Sequence, residues 1–227
     1  MLDVLAIGSH PDDVEIGMGG TLLKLKQEGY KTGILDLTNG EPTPFGSPEK
    51  RMQESGYAAE KLNLYYRNTL DLPNRYLQDT IEAREKVAAI IRQTKPRLLF
   101  FNHWNDAHPD HKAAADICEA SRFYSKLTKS NIKGEPYYPL KVIYYFASHL
   151  KAREKPSFIL DISNVFDQKI EIIKCYKSQF IENEKNMAVF DNVTQRAQYW
   201  GGRIRVKFGE PFFSKEEIQL KSFSNFL

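Results

Sequence analysis

The feature that most constrains the fold is a series of short apolar runs, each followed by a segment with helical periodicity. The first run, Leu2–Gly8, is almost continuously apolar. Continuous rather than alternating apolarity is typical of a parallel strand that is covered on both faces. Three further runs in the first half of the chain are Thr32–Leu37, a weaker run at Leu64–Leu70, and Arg97–Asn102. These runs predict four strands, the first of them buried.

Helical segments separate the predicted strands. They cover residues 21–29, 47–62, 79–95 and 113–127. Their ends carry residues typical of helix termini: Gly29 as a left-handed cap, Ser47 and Asp79 as N-caps, and Pro96 as a stop. Four successive strand–helix units predict an α/β, Rossmann-like domain whose mainly parallel sheet has helices on both faces and right-handed crossovers.

The pattern loosens after about residue 129. Two more strands are predicted at 141–147 and 157–163, and two more helices at 164–177 and 191–207. The last segment, 210–227, supports no prediction. Because no linker or repeat separates this part from the first half, we expect a C-terminal elaboration of one domain that covers residues 1–227.

Charge and cysteine content exclude several classes of protein. There are 32 basic and 29 acidic residues, and no run of like charges indicates nucleic-acid binding. The two cysteines, Cys118 and Cys175, suggest a reducing compartment. No apolar stretch approaches the roughly 18 residues of a membrane span, and the N-terminus does not resemble a signal peptide. We therefore expect a cytoplasmic protein that binds neither nucleic acid nor membrane.

Two polar motifs follow the first and fourth predicted strands. Ser-His-Pro-Asp-Asp occupies Ser9–Asp13, and His-Pro-Asp-His occupies His108–His111. With the strand order 3-2-1-4-5, strands 1 and 4 are neighbours where the winding of the sheet reverses, and ligands bind in the crevice outside their carboxyl ends. The two motifs are therefore expected to face each other across one cleft.

The residue types in these motifs suit a zinc ion. Catalytic zinc takes three protein ligands and keeps one position for water. His10, Asp13 and His111 could supply those ligands. Asp12 remains beside the metal, where a carboxylate can take a proton from water.

The second motif offers two further candidates. His108 is expected to face the substrate, with Asp110 fixing its orientation and favouring its protonated form. Each motif alone has a structural explanation, as a strand-end turn or as a helix N-cap. Their occurrence together at neighbouring strand ends favours a site. Cys118 is expected in the core and His103 in a surface loop.

The pair of motifs resembles the LmbE/PIG-L-like family of zinc-dependent N-acetylglucosamine deacetylases. The family segments are matched by Gly-Ser-His-Pro-Asp-Asp-Val-Glu at 8–15 and by His-Pro-Asp-His at 108–111. Further segments at 35–41, 47–51, 72–74, 176–180 and 210–214 look like the branch that contains the bacillithiol-pathway deacetylase. The resemblance implies a Rossmann-like fold, which agrees with the strand pattern.

Roles for individual residues follow from this resemblance. It implies that His10, Asp13 and His111 bind zinc, that Asp12 is the general base, and that His108, backed by Asp110, stabilises the oxyanion and aids the leaving amine. Arg51 matches an arginine near the sugar, and Lys177 and Gln179 are further candidates for substrate binding. Ala107 stands where some bacillithiol-type members have arginine, which weakens the case for an anionic substrate.

The implied activity is removal of the N-acetyl group from an N-acetylglucosaminyl (GlcNAc) conjugate, with GlcNAc-malate as the expected substrate. Diacetylchitobiose or another GlcNAc conjugate is the alternative. A non-catalytic sugar-binding module would not need the additional carboxylate of Asp12, and a metal phosphoesterase would usually need more carboxylates. The resemblance also implies a homo-oligomer, a trimer or a hexamer.

Overall fold

Seven strands form one sheet in the residues that the structure, a computed structural model, describes: 1–147, 149 and 155–219. The strands are β1 (Val4–Gly8), β2 (Thr32–Asp36), β3 (Tyr66–Thr69), β4 (Leu98–Asn102), β5 (Lys141–Tyr145), β6 (Phe158–Asp161) and β7 (Gly209–Phe213). The helices are α1 (Asp13–Gln27), α2 (Pro48–Leu62), α3 (Ile81–Thr94), α4 (Pro109–Tyr124), α5 (Phe166–Ile173), α6 (Lys177–Phe180) and α7 (Ala188–Arg203), with a 3₁₀ turn at Glu184–Asn186.

The strand order is β3-β2-β1-β4-β5-β7-β6. The first five strands pair in parallel, so that Val4 of β1 lies opposite Thr32 on one side and Leu98 on the other. The last two strands run antiparallel to their neighbours. The α/β fold class and the central order 3-2-1-4-5 are therefore confirmed, and β1 and β4 are adjacent as expected.

The two faces of the sheet carry separate apolar cores. One core contains Met18 and Leu22 of α1 together with residues of α2, α5 and α7. The other is formed mainly against α3 and α4 and includes Cys118, a buried core residue as predicted. All five residues of β1 are buried, because both faces of this central strand are covered. Burial of each large side chain contributes roughly 1.5–3 kcal/mol, which holds the strand ends in place.

The first helix differs from the prediction in where it begins. It starts at Asp13, directly after the first motif, rather than near residue 21, and its helical backbone is interrupted at Met18. Gly17 and Gly20, which precede the predicted start of the helix, lie inside α1 and allow close packing. A Cβ on Gly17 would clash with the Tyr145 ring, and one on Gly20 would lie 2.9 Å from Ile162.

Other helix ends were only partly predicted. Ser47 caps α2 as expected, accepting a hydrogen bond from the Lys50 N–H. The N-cap of α3 is Thr80 rather than Asp79, because the Asp79 carboxylate pairs with Arg84 instead.

The second half of the chain shows two further differences. The helix predicted over 164–177 ends at Ile173, and α6 follows as a separate turn. The segment 210–227, for which there was no prediction, contributes most of β7, a strand that β5 and β6 flank. Within the described ranges, no helix is long and apolar enough to cross a membrane.

Candidate active site

The two motifs meet at the carboxyl ends of β1 and β4. After β1 the chain turns at Ser9, whose carbonyl accepts hydrogen bonds from the backbone N–H (3.0 Å) and the hydroxyl (2.9 Å) of Thr38. After β4, the side-chain amide of Asn102 donates to the carbonyl of His111 (2.7 Å), which ties the start of α4 to the strand end. Both motifs are thus anchored to the sheet through backbone carbonyls.

His10, Asp13 and His111 form a compact set of possible metal ligands. Asp13 lies between the two imidazoles: its Oδ2 is 3.1 Å from His10 Nδ1, and its Oδ1 is 3.1 Å from His111 Nε2. One donor atom from each residue lies within 4.8 Å of the others, and the side chains of Asp13 and His111 are only 4% and 1% exposed. Two imidazoles and one carboxylate fit a zinc ion that keeps one coordination position for water or substrate.

In both histidines, the ring nitrogen that does not face Asp13 lies close to a second carboxylate. His10 Nε2 lies 3.1 Å from Asp110 Oδ2, and His111 Nδ1 lies 3.2 Å from Asp106 Oδ2. Such carboxylates orient metal-binding imidazoles and raise their basicity. Asp106 was missed by the sequence reasoning, although it lies only two residues before the second motif.

Asp110 does not have the contacts that the sequence suggested. Its carboxylate points at His10 and accepts hydrogen bonds from the backbone N–H groups of Arg75 (2.7 Å) and Leu77 (3.3 Å). Only its backbone N–H touches His108, donating to Nδ1 at 3.1 Å. The N-cap position of His108 explains this difference, because an N-cap side chain accepts from the first turn of its helix.

Charge on the carboxylates dominates the titration of the ligand set. Burial lowers the pKa of His10, but Asp13 and Asp110 outweigh burial and raise it to about 9. Burial likewise lowers the pKa of His111, while Asp13 and Asp106 raise it to about 10. Burial raises the pKa of Asp13, but the two histidines hold it well below its usual value. The set therefore favours a cation, and a metal ion would replace the imidazole protons.

Asp12 occupies a strained position beside this set. Its φ of 113° is unusual for a residue other than glycine, and it is the N-cap of α1. Its carboxylate Oδ2 lies 3.3 Å from the Arg51 guanidinium, which also donates to the Pro11 carbonyl at 2.8 Å. Burial raises the pKa of Asp12 to about 7, although the charge of Arg51 opposes this shift. A carboxylate with a pKa near neutrality suits general base catalysis.

Arg51 is buried among its interaction partners. Its side chain is 3% exposed, its Nε lies 3.7 Å from Glu41, and it packs over the Tyr176 ring. Gly40 leaves space for it, since a Cβ there would lie 2.7 Å from the guanidinium. The structure thus places Arg51 at the cleft mainly as a partner of Asp12.

His108 faces the cleft as a neutral imidazole. Burial and the nearby His111 and His10 lower its pKa. Because its Nδ1 accepts the Asp110 N–H, the hydrogen of the neutral ring is on Nε2. The Asp110 carboxylate does raise the pKa of His108, as expected, but burial and the two other histidines outweigh it, so the protonated form is not favoured.

The cleft at the strand ends has a volume of about 640 Å³. Of the two substrate candidates from 176–180, Gln179 lines this cleft, whereas Lys177 lines a separate groove between α2 and the α5–α6 region. The sequence reasoning missed three cations that do line the cleft, Arg75, Lys185 and Arg196. His149, to which no role was assigned, also lines it.

His103 is buried, contrary to the expectation of a surface loop. Its ring stacks on Trp104, with centroids 4.0 Å apart, and on Phe146 at 5.1 Å. The aromatic residues that flank the end of β4 cover it, so it belongs to the wall behind the site.

A family comparison agrees with this site. The model of the family described as PIG-L, GlcNAc-PI de-N-acetylase, matches residues 5–121, slightly more than half of the chain and including both motifs. The fold and the two motifs therefore define a hydrolase that acts on an N-acetyl group. The chain belongs to the PIG-L family and is an N-deacetylase.

Individual relatives support the same assignment. The diacetylchitobiose deacetylase of Thermococcus kodakarensis is 28% identical over 79% of this chain and 71% of its own length. A probable N-acetyl-α-D-glucosaminyl L-malate deacetylase 2 of Bacillus cereus is 26% identical over 78% and 83% of the two chains. Conserved protein TT1542 from Thermus thermophilus has a solved structure with a TM-score of 0.90 and 38% identity, covering 99% of each chain.

Proposed function

We propose that this protein is a zinc-dependent deacetylase that hydrolyses the acetamide of a GlcNAc conjugate. The observation that carries the proposal is the juxtaposition of Asp13, held between two imidazoles, with the strained carboxylate of Asp12. The first group of residues would hold the metal, and the second would move a proton. A sugar-binding module would need the first group alone.

The chain's own residues divide the chemistry of amide hydrolysis. Zinc, when bound by His10, Asp13 and His111, supplies a Lewis acid that polarises the acetamide carbonyl and acidifies the attacking water. Asp12 accepts the proton of that water as the new C–O bond forms. The Nε2–H of His108 donates a hydrogen bond to the developing oxyanion.

Collapse of the tetrahedral intermediate breaks the C–N bond. The nitrogen needs a proton in order to leave as an amine, and Asp12 holds the proton taken from water. A pKa near 7 lets this carboxyl act as base and then as acid at neutral pH. The products are acetate and the free amino sugar.

For the conjugate itself we propose GlcNAc-malate, because the cleft is lined by cations in addition to the residues assigned to metal and proton transfer. Lys185, from the 3₁₀ turn, and Arg75, from the loop after β3, both line the cleft. Arg75 donates one guanidinium hydrogen bond to the Pro42 carbonyl (2.5 Å), which leaves further N–H groups for a carboxylate. Diacetylchitobiose, which has no carboxylate, would not use these charges.

The test compares acetate release from GlcNAc-malate, diacetylchitobiose and free GlcNAc. We expect the highest kcat/KM for the malate conjugate. Arg75→Gln and Lys185→Gln should each raise KM for that conjugate about tenfold, the order of one charge-assisted hydrogen bond, and leave KM for the neutral sugars unchanged. Lys177→Gln is the matched control, since it removes the same charge from the separate groove.

Two outcomes would contradict parts of the proposal. Equal or faster turnover of the neutral sugars would reject GlcNAc-malate and leave the deacetylase chemistry in place. No acetate from any of the three substrates, with zinc bound, would reject a GlcNAc conjugate as the substrate.

A further inference from the structure

A buried ion pair is inserted into the hydrogen-bond ladder of α1. In a regular helix the Gly20 N–H would donate to the Ile16 carbonyl. Here the backbone departs from helical geometry at Met18, and the Gly20 N–H donates to Glu210 Oε1 at 2.9 Å. The Ile16 carbonyl instead accepts from Lys169 Nζ at 2.8 Å, and Lys169 and Glu210 lie 2.6 Å apart. The pair thus satisfies backbone groups on both sides of the interruption at Met18.

The pair comes from two distant elements and is almost fully enclosed. Lys169 belongs to α5 and Glu210 to β7, and their side chains are 3% and 2% exposed. The second oxygen of Glu210 accepts from the backbone N–H (2.7 Å) and the hydroxyl (2.6 Å) of Thr21. Burial lowers the pKa of Lys169, and Glu210 opposes this shift. Buried pairs of this kind add little net stability compared with an apolar replacement, so stability alone does not account for this one.

The segment before the interruption carries the reacting groups. Asp13 is the first residue of α1, Asp12 is its N-cap, and Ile16 lines the cleft. The same turn is held on another side by Glu15, which accepts hydrogen bonds from Arg67 Nη1 (2.5 Å) and the Tyr176 hydroxyl (2.6 Å). The orientation of this turn relative to the rest of α1 therefore depends on Lys169 and Glu210, which bind the backbone groups on either side of Met18.

We propose that Lys169 and Glu210 are positioning residues, which set the orientation of the first turn of α1 and so place Asp12 and Asp13 for catalysis. Neither side chain needs to touch the substrate. This inference rests on the proposed roles of Asp12 and Asp13. It also gives a role to the Glu-Pro-Phe-Phe segment at 210–213, which lies outside both motifs.

The test uses Lys169→Met, Glu210→Gln and a milder variant, Thr21→Val, which removes only one hydrogen bond to Glu210. The control is Lys174→Met, which removes a lysine from the end of the same helix α5, where it pairs with Glu171 in an exposed position. For each variant we would measure the Co²⁺ affinity and visible absorption spectrum without substrate, the steady-state constants for acetate release, and the folded fraction by circular dichroism.

We expect Lys169→Met and Glu210→Gln to lower kcat about 10- to 100-fold, the cost of a misplacement of about 1 Å. KM should change less than about threefold, and the Co²⁺ spectrum should shift because Asp13 is displaced. Thr21→Val should show a smaller change in the same direction, and Lys174→Met should show none.

The outcomes separate this inference from the proposed function. Variants that are less stable but keep kcat and the Co²⁺ spectrum in the folded fraction would overturn the positioning role. If Lys169→Met does not fold, an unchanged kcat and spectrum in both Glu210→Gln and Thr21→Val would overturn it equally. Wild-type protein that binds no Co²⁺ would instead reject the metal site on which the proposed function depends.

Discussion

Removal of the Arg51 charge should move the acid limb of the pH–rate profile to higher pH. The Arg51 guanidinium lies 3.3 Å from the Asp12 carboxylate and lowers its pKa against the effect of burial, which leaves a pKa of about 7. The base must be ionised to accept a proton. Loss of the cation raises the pKa of Asp12, so a higher pH is needed to ionise it.

The size of the shift in the Asp12 pKa follows from the distance between Asp12 and Arg51. At about 3.3 Å and an effective dielectric constant of about 20, two unit charges attract by about 5 kcal/mol, equivalent to about 3–4 pKa units. Carboxylates beside arginine show shifts of about 1–3 units, because water and neighbouring groups compensate. We expect the limb to rise by at least about one pH unit in Arg51→Met.

The assay is kcat/KM for acetate release between about pH 5 and 10, since this ratio reports the free enzyme. Arg51→Lys keeps a charge and should retain a limb closer to that of wild type. Lys50→Met, one residue earlier on an exposed face, is the control for net charge. A folded Arg51→Met whose limb stays in place, or moves to lower pH, would refute the assignment of this limb to Asp12 under the control of Arg51.

Three further predictions concern the division of roles at the site. Asp12→Asn should keep zinc while kcat falls about 10²- to 10⁴-fold. His111→Ala should lose zinc, as measured by metal analysis. Loss of zinc in Asp12→Asn would instead show that Asp12 is a ligand. Asp106→Asn should weaken zinc binding about 10- to 100-fold in a chelator competition, because it removes the carboxylate 3.2 Å from His111 Nδ1; unchanged affinity would contradict that contact. His108→Ala should spare the zinc and lower kcat more than it raises KM, and a stripped metal would show that His108 is a ligand.

The sheet could be predicted from the sequence because its central strands are buried on both faces. A strand such as β1, with all five residues buried, has to be continuously apolar, and that pattern is visible in the sequence. The beginning of α1 was harder to predict because Gly17, Gly19 and Gly20 are poor helix formers. Tertiary contacts with Tyr145 and Ile162 decide the outcome there. Strand β7 was not predicted, since its Gly-Glu-Pro start carries little strand propensity.

The site was partly predictable for a related reason. Residues within a motif have fixed spacing, and the strand order alone brings the two motifs together. The histidine that each carboxylate contacts has no such signature. The carboxylate of Asp110 reaches His10 rather than its neighbour His108, and Asp106 faces His111. Sequence spacing could not distinguish these partners, because each aspartate lies close in the chain to more than one histidine.

Arg51 lies at the cleft, but its contacts indicate that it supports the proposed base and is not free to bind a substrate carboxylate. Its guanidinium is engaged by Asp12, the Pro11 carbonyl and Glu41. Binding of a substrate carboxylate by Arg51 would therefore compete with its contact to the proposed base.

Recognition of a conjugate is better assigned to side chains with unused donors on other parts of the wall. Of the two cations proposed for this role, Lys185 lies beyond residue 121, where the family match ends, while Arg75 and the residues assigned to metal and proton transfer lie within it. Relatives that share the chemistry can therefore differ in the sugar conjugate they accept.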